Sequence, residues 1–401
     1  MTVRVNKDSF NLREKLSGLE RPIGLKGSEM MRSETAQDAR NLVGAGRKNM
    51  VINGDMRVFQ RGNSGNVPNT GTYFLDRFQA RNNTAGTLYI TQQSSAAGPP
   101  GFRSWLLAQC DGADTSVGAS DYARIQQYIE GYNCFMDWGY GNTDHVTASF
   151  WVKSNRIGTY CFQIEDSTGI PLYCQEYVIE RSDVWQKIVL VIPPPPSGTW
   201  RGADSGVGAR LTWTLMAGSS HPTTANVWQT NYGMRTTGHV NFMDNANNNF
   251  YLTGVQLEVG KNATDFEYRS YAEELALCQR YYQNTNGNLS YAGINYGETA
   301  YAGWQYDASS GSTRIRLPVQ MRTNPSASIV GTVTNNPGTD GTIGIYGNAG
   351  WMNATGITAT ETSPLSFRVN VTGLSGSGKD AFGLYFYGTY LTANVRLVAE
   401  L

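Results

Sequence analysis

HVTASFWVKS (residues 145–154) decides the fold: Val146, Ala148, Phe150 and Val152 alternate with polar or bulkier neighbours, the period of a half-buried β-strand. The same period recurs on both sides of it, in TYCFQIED (159–166), WQKIVLVIPPPP (185–196), ARLTWTLMAG (209–218) and NFYLTGVQLEVG (249–260). Turn-forming clusters separate these runs: GNSGNVPNTGT (62–72), SSAAGPPG (94–101), CDGADTSVGAS (110–120), GYGNTD (139–144), PPPPSGTWRGADSGVG (193–208) and DNANNN (244–249). Many short strands at regular spacing predict one antiparallel two-sheet sandwich, a jelly roll, over residues 49–271. Pro193–Pro196 cannot continue a central strand and mark a corner or an exposed edge.

Beyond it, SYAEELALCQRYYQ (270–283) reads as a short linking helix with Leu275, Leu277, Cys278, Tyr281 and Tyr282 on its apolar face. Alternation then returns in STRIRLPVQM (312–321), SFRVNVTG (366–373), GLYFYGTY (383–390) and ANVRLVAEL (393–401). Residues 272–401 are therefore expected to form the linking helix and a second, smaller β-sandwich. Toward the N-terminus, residues 1–48 are the most charged part of the chain and hold too few large apolar residues for a core. Within them, SEMMRSETAQDARNLVGAG (28–46) predicts a short helix capped by Ser28 or Ser33 and stopped at Gly44. A helix that short is marginal alone. The segment reads either as a loose arm or as a peptide that docks into a larger assembly through Leu12, Leu16, Leu19, Ile23, Leu25, Met30 and Leu42. The whole is mainly β: an extended or helical N-terminal anchor, a jelly roll, a linking helix and a second sandwich. No fixed-period repeat points to a solenoid or β-helix.

Composition narrows the function. Hydrophobic residues make up 40% of the 401 and charged residues 16%, with 45 glycines and 23 tyrosines, as in short strands joined by polar loops. Lys+Arg and Asp+Glu balance at 32 each, which provides no footprint for nucleic acid or an anionic membrane. No apolar run marks a secretory signal or a membrane span, so folding in a reducing cytoplasm is expected, with exit by lysis or within a particle. The five cysteines, Cys110, Cys134, Cys161, Cys174 and Cys278, lack CxxC spacing and read as buried thiols, although Cys161 and Cys174 have a spacing that permits pairing.

Catalytic patterns are missing from the sequence. His145, His221 and His239 form no HExxH or HxH motif, and there is no GxSxG elbow. GLSGSGKDAFG (373–383) fails as a phosphate loop because Asp380 follows Lys379 where a hydroxyl is required. Asp111, Asp114, Asp121, Asp137 and Asp144 read as solvated turn aspartates; a structural calcium on Asp111, Asp114 and Asp121, or a hydrolytic carboxylate pair, are the alternatives. Otherwise no cofactor is expected. Loop aromatics are the candidates for contact with a sugar or receptor: Trp138, Tyr140, Trp200, Trp228, Tyr232, Trp304, Tyr306 and Trp351. An exposed ring can stack on a sugar face while Asn, Asp and Arg bond its hydroxyls. The same rings can instead pack beneath their loops or at subunit interfaces.

NMVINGDMRVFQRG (49–62), then YFLDRF (73–78), IQQYIEG (125–131), TASFWVKS (147–154) and LTGVQLEVGKNATDFEYRSYAEELALCQRYYQ (252–283) together resemble a sandwich domain of phage tail-fibre and receptor-binding proteins. RLPVQMRTNPSASI (316–329) is similar to a strand in the C-terminal domain of such fibres, and the N-terminal segment resembles attachment peptides of marine cyanophage fibres. The resemblance spans residues 49–329. It implies a jelly roll akin to carbohydrate-binding modules and a non-enzymatic virion protein, assembled as a homotrimer. Its partners would be tail or virion proteins, through residues 1–48, and host surface polysaccharide or another receptor. It also implies a buried ion-pair role for Arg77 and bracing roles for Glu258 and Glu267. A connector or decoration protein without a receptor, and an envelope-polysaccharide depolymerase, are the alternatives.

Overall fold

The computed structural model describes residues 47–62, 64–198, 200, 202, 204–284, 300–334, 341–347, 350–374, 381–387 and 394–401. The N-terminal helix and docking residues expected within 1–46 fall outside this set.

The chain is mainly β and antiparallel. In the first sandwich, a six-stranded sheet runs in the order Gly65–Asn66, Thr87–Ser94, Ser104–Gly112, Asn249–Val259, Val146–Ser154, Gln186–Ile192. A seven-stranded sheet runs Trp228–Gln229, Leu172–Ile179, Gly158–Glu165, Val207–Ala217, Tyr122–Glu130, Phe78–Asn83, Thr72–Leu75. Together they make the jelly roll that the alternation predicts. Phe150 from one sheet meets Trp213 from the other, rings 5.7 Å apart at 82°, and Phe162 lies 5.2 Å from the same indole. Burying such rings supplies most of the driving force, roughly 25 cal/mol per Å² of apolar surface. The strand Gln186–Ile192 is an edge of its sheet and stops just before Pro193, where the missing N–H would break a ladder. A register shift between Thr253 and Gln256 needs Gly254, whose φ is +62° and where a Cβ would come within 2.7 Å of the Phe102 ring.

The linking helix is shorter than expected, Tyr271–Gln279, capped by the Ser270 hydroxyl, which accepts from Glu273 N at 3.2 Å. The chain leaves it because Tyr282–Asn284 pairs as a strand with Asn394–Val398 instead. Backbone pairing and burial of Tyr282 outweigh continuing the helix. With Ser326–Val330, these strands form a three-stranded sheet. It shares the second core with a larger sheet ordered Thr332–Val333, Thr342–Gly347, Ala381–Tyr387, Ala300–Gln305, Ser310–Arg316, Ser366–Thr372, Gly356–Ser363, with Gly350–Met352 added to Thr342–Gly347. All five cysteines are buried with free thiols. No helix among the described residues is long and apolar enough to cross a membrane.

The motif residues gather where the two sandwiches meet. Arg77, 1% exposed in its side chain, pairs with Glu400, donates to Tyr128 O at 2.5 Å and lies over the Tyr281 ring, 3.6 Å from its centroid. Arg61 also binds Glu400, at 2.6 Å, and covers the Tyr282 ring. Glu130 accepts from Arg280 Nε at 2.8 Å and from the Tyr281 hydroxyl at 2.5 Å. Arg322 donates to the carbonyls of Ala399, Glu400 and Ser205, tying the second sandwich to a loop of the first. Ile52, Val58, Cys278 and Tyr281 form a small apolar core beneath this polar cluster. Glu258 and Glu267 hold the sandwich entry: Glu258 accepts from Thr264 N and Oγ1, Glu267 from the amides of Lys48 and Asn49.

Candidate functional site

Strand alternation turns one face of the second sandwich's larger sheet toward solvent. Phe382, Leu384, Phe386, Ile343 and Ile345 point into the core. Their neighbours point out. Tyr346 lies opposite Gly383, which in turn lies opposite Ala302; Trp304 lies opposite Ala381 on one side and Ser312 on the other. Tyr346 also pairs with Trp351 across the hairpin. Three large rings thus stand around a floor of Gly and Ala, with Trp304 55%, Tyr346 47% and Trp351 38% exposed. Trp351 is fixed edge-on by Tyr346 at 5.0 Å and by Tyr385 at 5.5 Å. Farther along the same face Arg314 donates to Ser366 Oγ and Glu361, and Asn370 Nδ2 donates to Thr360 Oγ1 at 2.7 Å. Tyr306, 56% exposed, stands in the turn just past Trp304. Such a surface can place ring faces against the C–H face of a flat ligand and offer hydrogen bonds at its edge.

Of the eight aromatic residues singled out in the sequence, Trp304, Tyr306 and Trp351 lie together on or beside this face. Tyr232 is exposed but lies in the first sandwich, its hydroxyl accepting from Arg124. Tyr140 closes the one-turn 3-10 helix Trp138–Tyr140, and its side chain is outside the described residues.

Trp138, Trp200 and Trp228 require a correction. They form one mutually perpendicular cluster with ring centroids 4.9, 5.8 and 5.7 Å apart. Trp138 and Trp200 are buried in the first core and Trp228 packs against it. Each indole N–H is satisfied by a backbone carbonyl: Asp144 O at 2.8 Å, Ser197 O at 3.2 Å and Pro193 O at 3.2 Å. Loop sequence places these rings near the surface, but the loops fold inward over them because three indoles bury far more area together than apart.

The calcium alternative is corrected as well. Asp114 is buried and spends both carboxylate oxygens on the amides of Ala85 and Ser116, and Asp121 accepts from Gly118 N at 2.6 Å. Asp111 is exposed on the strand Ser104–Gly112. Among the described residues no three His, Cys, Asp or Glu side chains converge as a metal site. Sequence reading missed Tyr346 and Tyr385. Both sit in strands, TIGIYG and AFGLYFY, and strict alternation against the buried Ile and Phe would have marked them as outward-facing.

No protein-family model matches the chain, and no curated protein matches it. Among solved structures it is similar to the enzymatically active domain of tailspike protein 4 of bacteriophage CBA120, at 14% identity and TM-score 0.28, over 53% of this chain and 21% of that one. The chain thus spans about a fifth of that tailspike domain's length. It is also similar to the family 11 carbohydrate-binding module of Clostridium thermocellum in complex with a β-1,3-1,4-mixed-linked tetrasaccharide, at 12% identity and TM-score 0.25, over 51% of this chain and 98% of that one. A tandem CBM22 structure from a Paenibacillus barcinonensis protein matches at 11% identity and TM-score 0.23, over 83% of this chain and 93% of that one. Likenesses at these scores carry no weight for function, which rests on the residues of this chain.

Proposed function

We propose that this is a non-enzymatic surface protein of a tailed bacteriophage virion, a tail fibre that binds host surface glycan. In this reading residues 1–48 attach it to the particle and the second sandwich presents Trp304, Tyr346 and Trp351 to the host. The observation that carries the reading is the cluster of exposed rings over a Gly/Ala floor: leaving that much aromatic surface in water is unfavourable unless a partner covers it. The motif resemblance supports the phage assignment and a homotrimeric assembly, in which weak single-site sugar binding is multiplied across three copies and several fibres.

Fluorescently labelled chain should bind host cells saturably, lose that binding when surface polysaccharide is stripped, and lose it again in the Trp304→Ala/Trp351→Ala variant. A folded oligomer that binds no cell would instead favour the connector or decoration role. New reducing ends released from envelope polysaccharide would show the protein to be a depolymerase.

A further inference from the structure

The larger sheet of the second sandwich has four charged residues in its strands, Arg314, Arg316, Arg368 and Glu361. Ile315, Phe367 and Val369 point into the core, so the arginines that alternate with them point outward, on the face that bears Trp304, Tyr346 and Trp351. Three positive charges against one negative is a local excess, since Lys+Arg and Asp+Glu balance at 32 each over the whole chain. Charges commonly guard the open edge of a sheet. These arginines do not, because the strands Ser310–Arg316 and Ser366–Thr372 lie inside the sheet, each paired on both sides.

Their arrangement works against the fold. Arg314 and Arg368 are directly opposite in register, and like charges so placed repel. Glu361 relieves this by dividing its carboxylate between them, Oε2 to Arg314 Nη2 and Oε1 to Arg368 Nη1, both at 2.7 Å. It does so from the left-handed region, at φ +45°, in the register shift between Thr360 and Ser363, where a residue with a side chain is strained. The three side chains stay open to solvent, Arg314 47%, Arg368 39% and Glu361 49% exposed. Arg316, next along the same face and opposite Ser366, is exposed and belongs to none of the ion pairs among the described residues.

The basic end of the face adjoins the aromatic end. Ser312 lies opposite Trp304, and Arg314 is the next outward residue after Ser312 on that strand. Strand spacing puts the Arg314 Cα about 7 Å from that of Ser312 and about 8 Å from that of Trp304. A pyranose ring lying on the Trp304 indole therefore brings a substituent at its edge within reach of the Arg314 guanidinium. A neutral sugar would leave the positive excess uncompensated, whereas a carboxylate suits paired guanidiniums, as Glu361 itself demonstrates. We infer that the glycan taken by this face is acidic, a saccharide bearing carboxylates, with sugar rings on Trp304 and Trp351 and a carboxylate on Arg314, Arg316 and Arg368. Glu361 holds the arginine pair in place and gives up part of it to the ligand. The inference rests on the reading of the aromatic face as the recognition surface and adds the charge of what is recognised.

Matched probes that differ only in charge test it: cello-oligosaccharides against the same chains oxidised to the carboxylate at C6, and oligogalacturonates against their methyl esters, each titrated into the full-length protein by calorimetry. At least one acidic member should bind about tenfold more tightly than its neutral twin at low ionic strength, and the gap should close at about 0.5 M salt, where exposed charges are screened. Arg314→Gln and Arg316→Gln should each erase most of that gap and leave the neutral twin's affinity unchanged. Glu361→Gln should tighten the acidic probe several-fold by removing the competing carboxylate, a gain that a glutamate serving only the fold would not give. Neutral twins that bind as tightly as the acidic members, with binding lost in Trp304→Ala, would overturn this inference and leave the glycan-binding reading standing. An acidic preference that persists unchanged in both arginine variants would overturn it too. Binding of no member of either pair would overturn both readings.

Discussion

Removing the Arg77 guanidinium should loosen the joint between the sandwiches more than any surface change of similar size. In Arg77→Met the buried Glu400 carboxylate loses one of its two arginines and keeps Arg61 at 2.6 Å. Breaking a buried ion pair by deleting one partner costs about 3–5 kcal/mol. The remaining Arg61 contact places this case near the lower end, about 3 kcal/mol. Loss of the stacking over Tyr281, at 3.6 Å, adds about 1 kcal/mol. Glu400→Gln should cost about 3 kcal/mol by a different route, because it removes the negative charge that compensates Arg77, 1% exposed, and puts an amide NH2 where one arginine found a carboxylate oxygen. Since both changes break the same contact, Arg77→Met/Glu400→Gln should fall short of their sum by about 1–2 kcal/mol. Guanidinium unfolding followed by tryptophan fluorescence measures all three, and calorimetry would show the second sandwich melting as a separate transition in the variants. Losses below about 1 kcal/mol for both single variants, or strict additivity in the double, would refute the assignment of this pair as the clamp.

Two further outcomes separate core from surface and fix a pH window. Trp138→Ala should cost about 3–5 kcal/mol by leaving a cavity against Trp200 and Trp228, whereas Trp351→Ala should stay within about 0.5 kcal/mol; chemical denaturation of both variants checks the contrast. His239 is held down to about 4 by burial, with the Arg235 charge adding to the effect, so the native state keeps it neutral where the unfolded chain takes up a proton. The stability that this provides is complete above the ordinary histidine value of 6.5 and is lost as pH falls toward about 4, by up to about 3 kcal/mol. Unfolding curves across that range should flatten in His239→Gln, and an unchanged slope would assign the acid sensitivity elsewhere.

The first sandwich was legible because its strands alternate cleanly and its turns are spelled in Gly, Asn and Pro; Val146, Ala148, Phe150 and Val152 face the core as their spacing requires. The helix end was not, because Arg280, Tyr281 and Tyr282 suit either a last helical turn or a strand, and the choice is made by Asn394–Val398, more than a hundred residues away. The indole cluster was misread for a related reason. Gly and Asn neighbours report that Trp138, Trp200 and Trp228 lie in loops but not that three loops converge on one point. A polar grid on the seven-stranded sheet was invisible for the opposite reason. Arg124, Gln126, Thr212 and Glu165 look like ordinary solvent-face positions, yet all four are buried, and the chain from Gly218 to His239 crosses part of their face, bonded to Gln163 and Arg124.

The motif residues of the joint and the exposed rings of the aromatic face are different sets, and the structure supplies the reason. Arg61, Asp76 and Arg77 lie in the quoted motifs, and every one of them is spent on the joint: Arg61 and Arg77 on Glu400, Asp76 on the amide and side chain of Gln60. Asp76 is fully enclosed there, and burial holds its carboxyl above the usual range. A buried, multiply bonded cluster tolerates little substitution, since removing one member strands the others. The aromatic face is under no such constraint. Trp304, Tyr346 and Trp351 extend from a sheet whose inner side already holds the core, so they can change without unfolding it. A chain built this way can keep one rigid joint and vary what its outer faces recognise. The motif therefore identifies the scaffold, and the proposed recognition is to be sought at Trp304, Tyr346 and Trp351, which lie outside the quoted stretches.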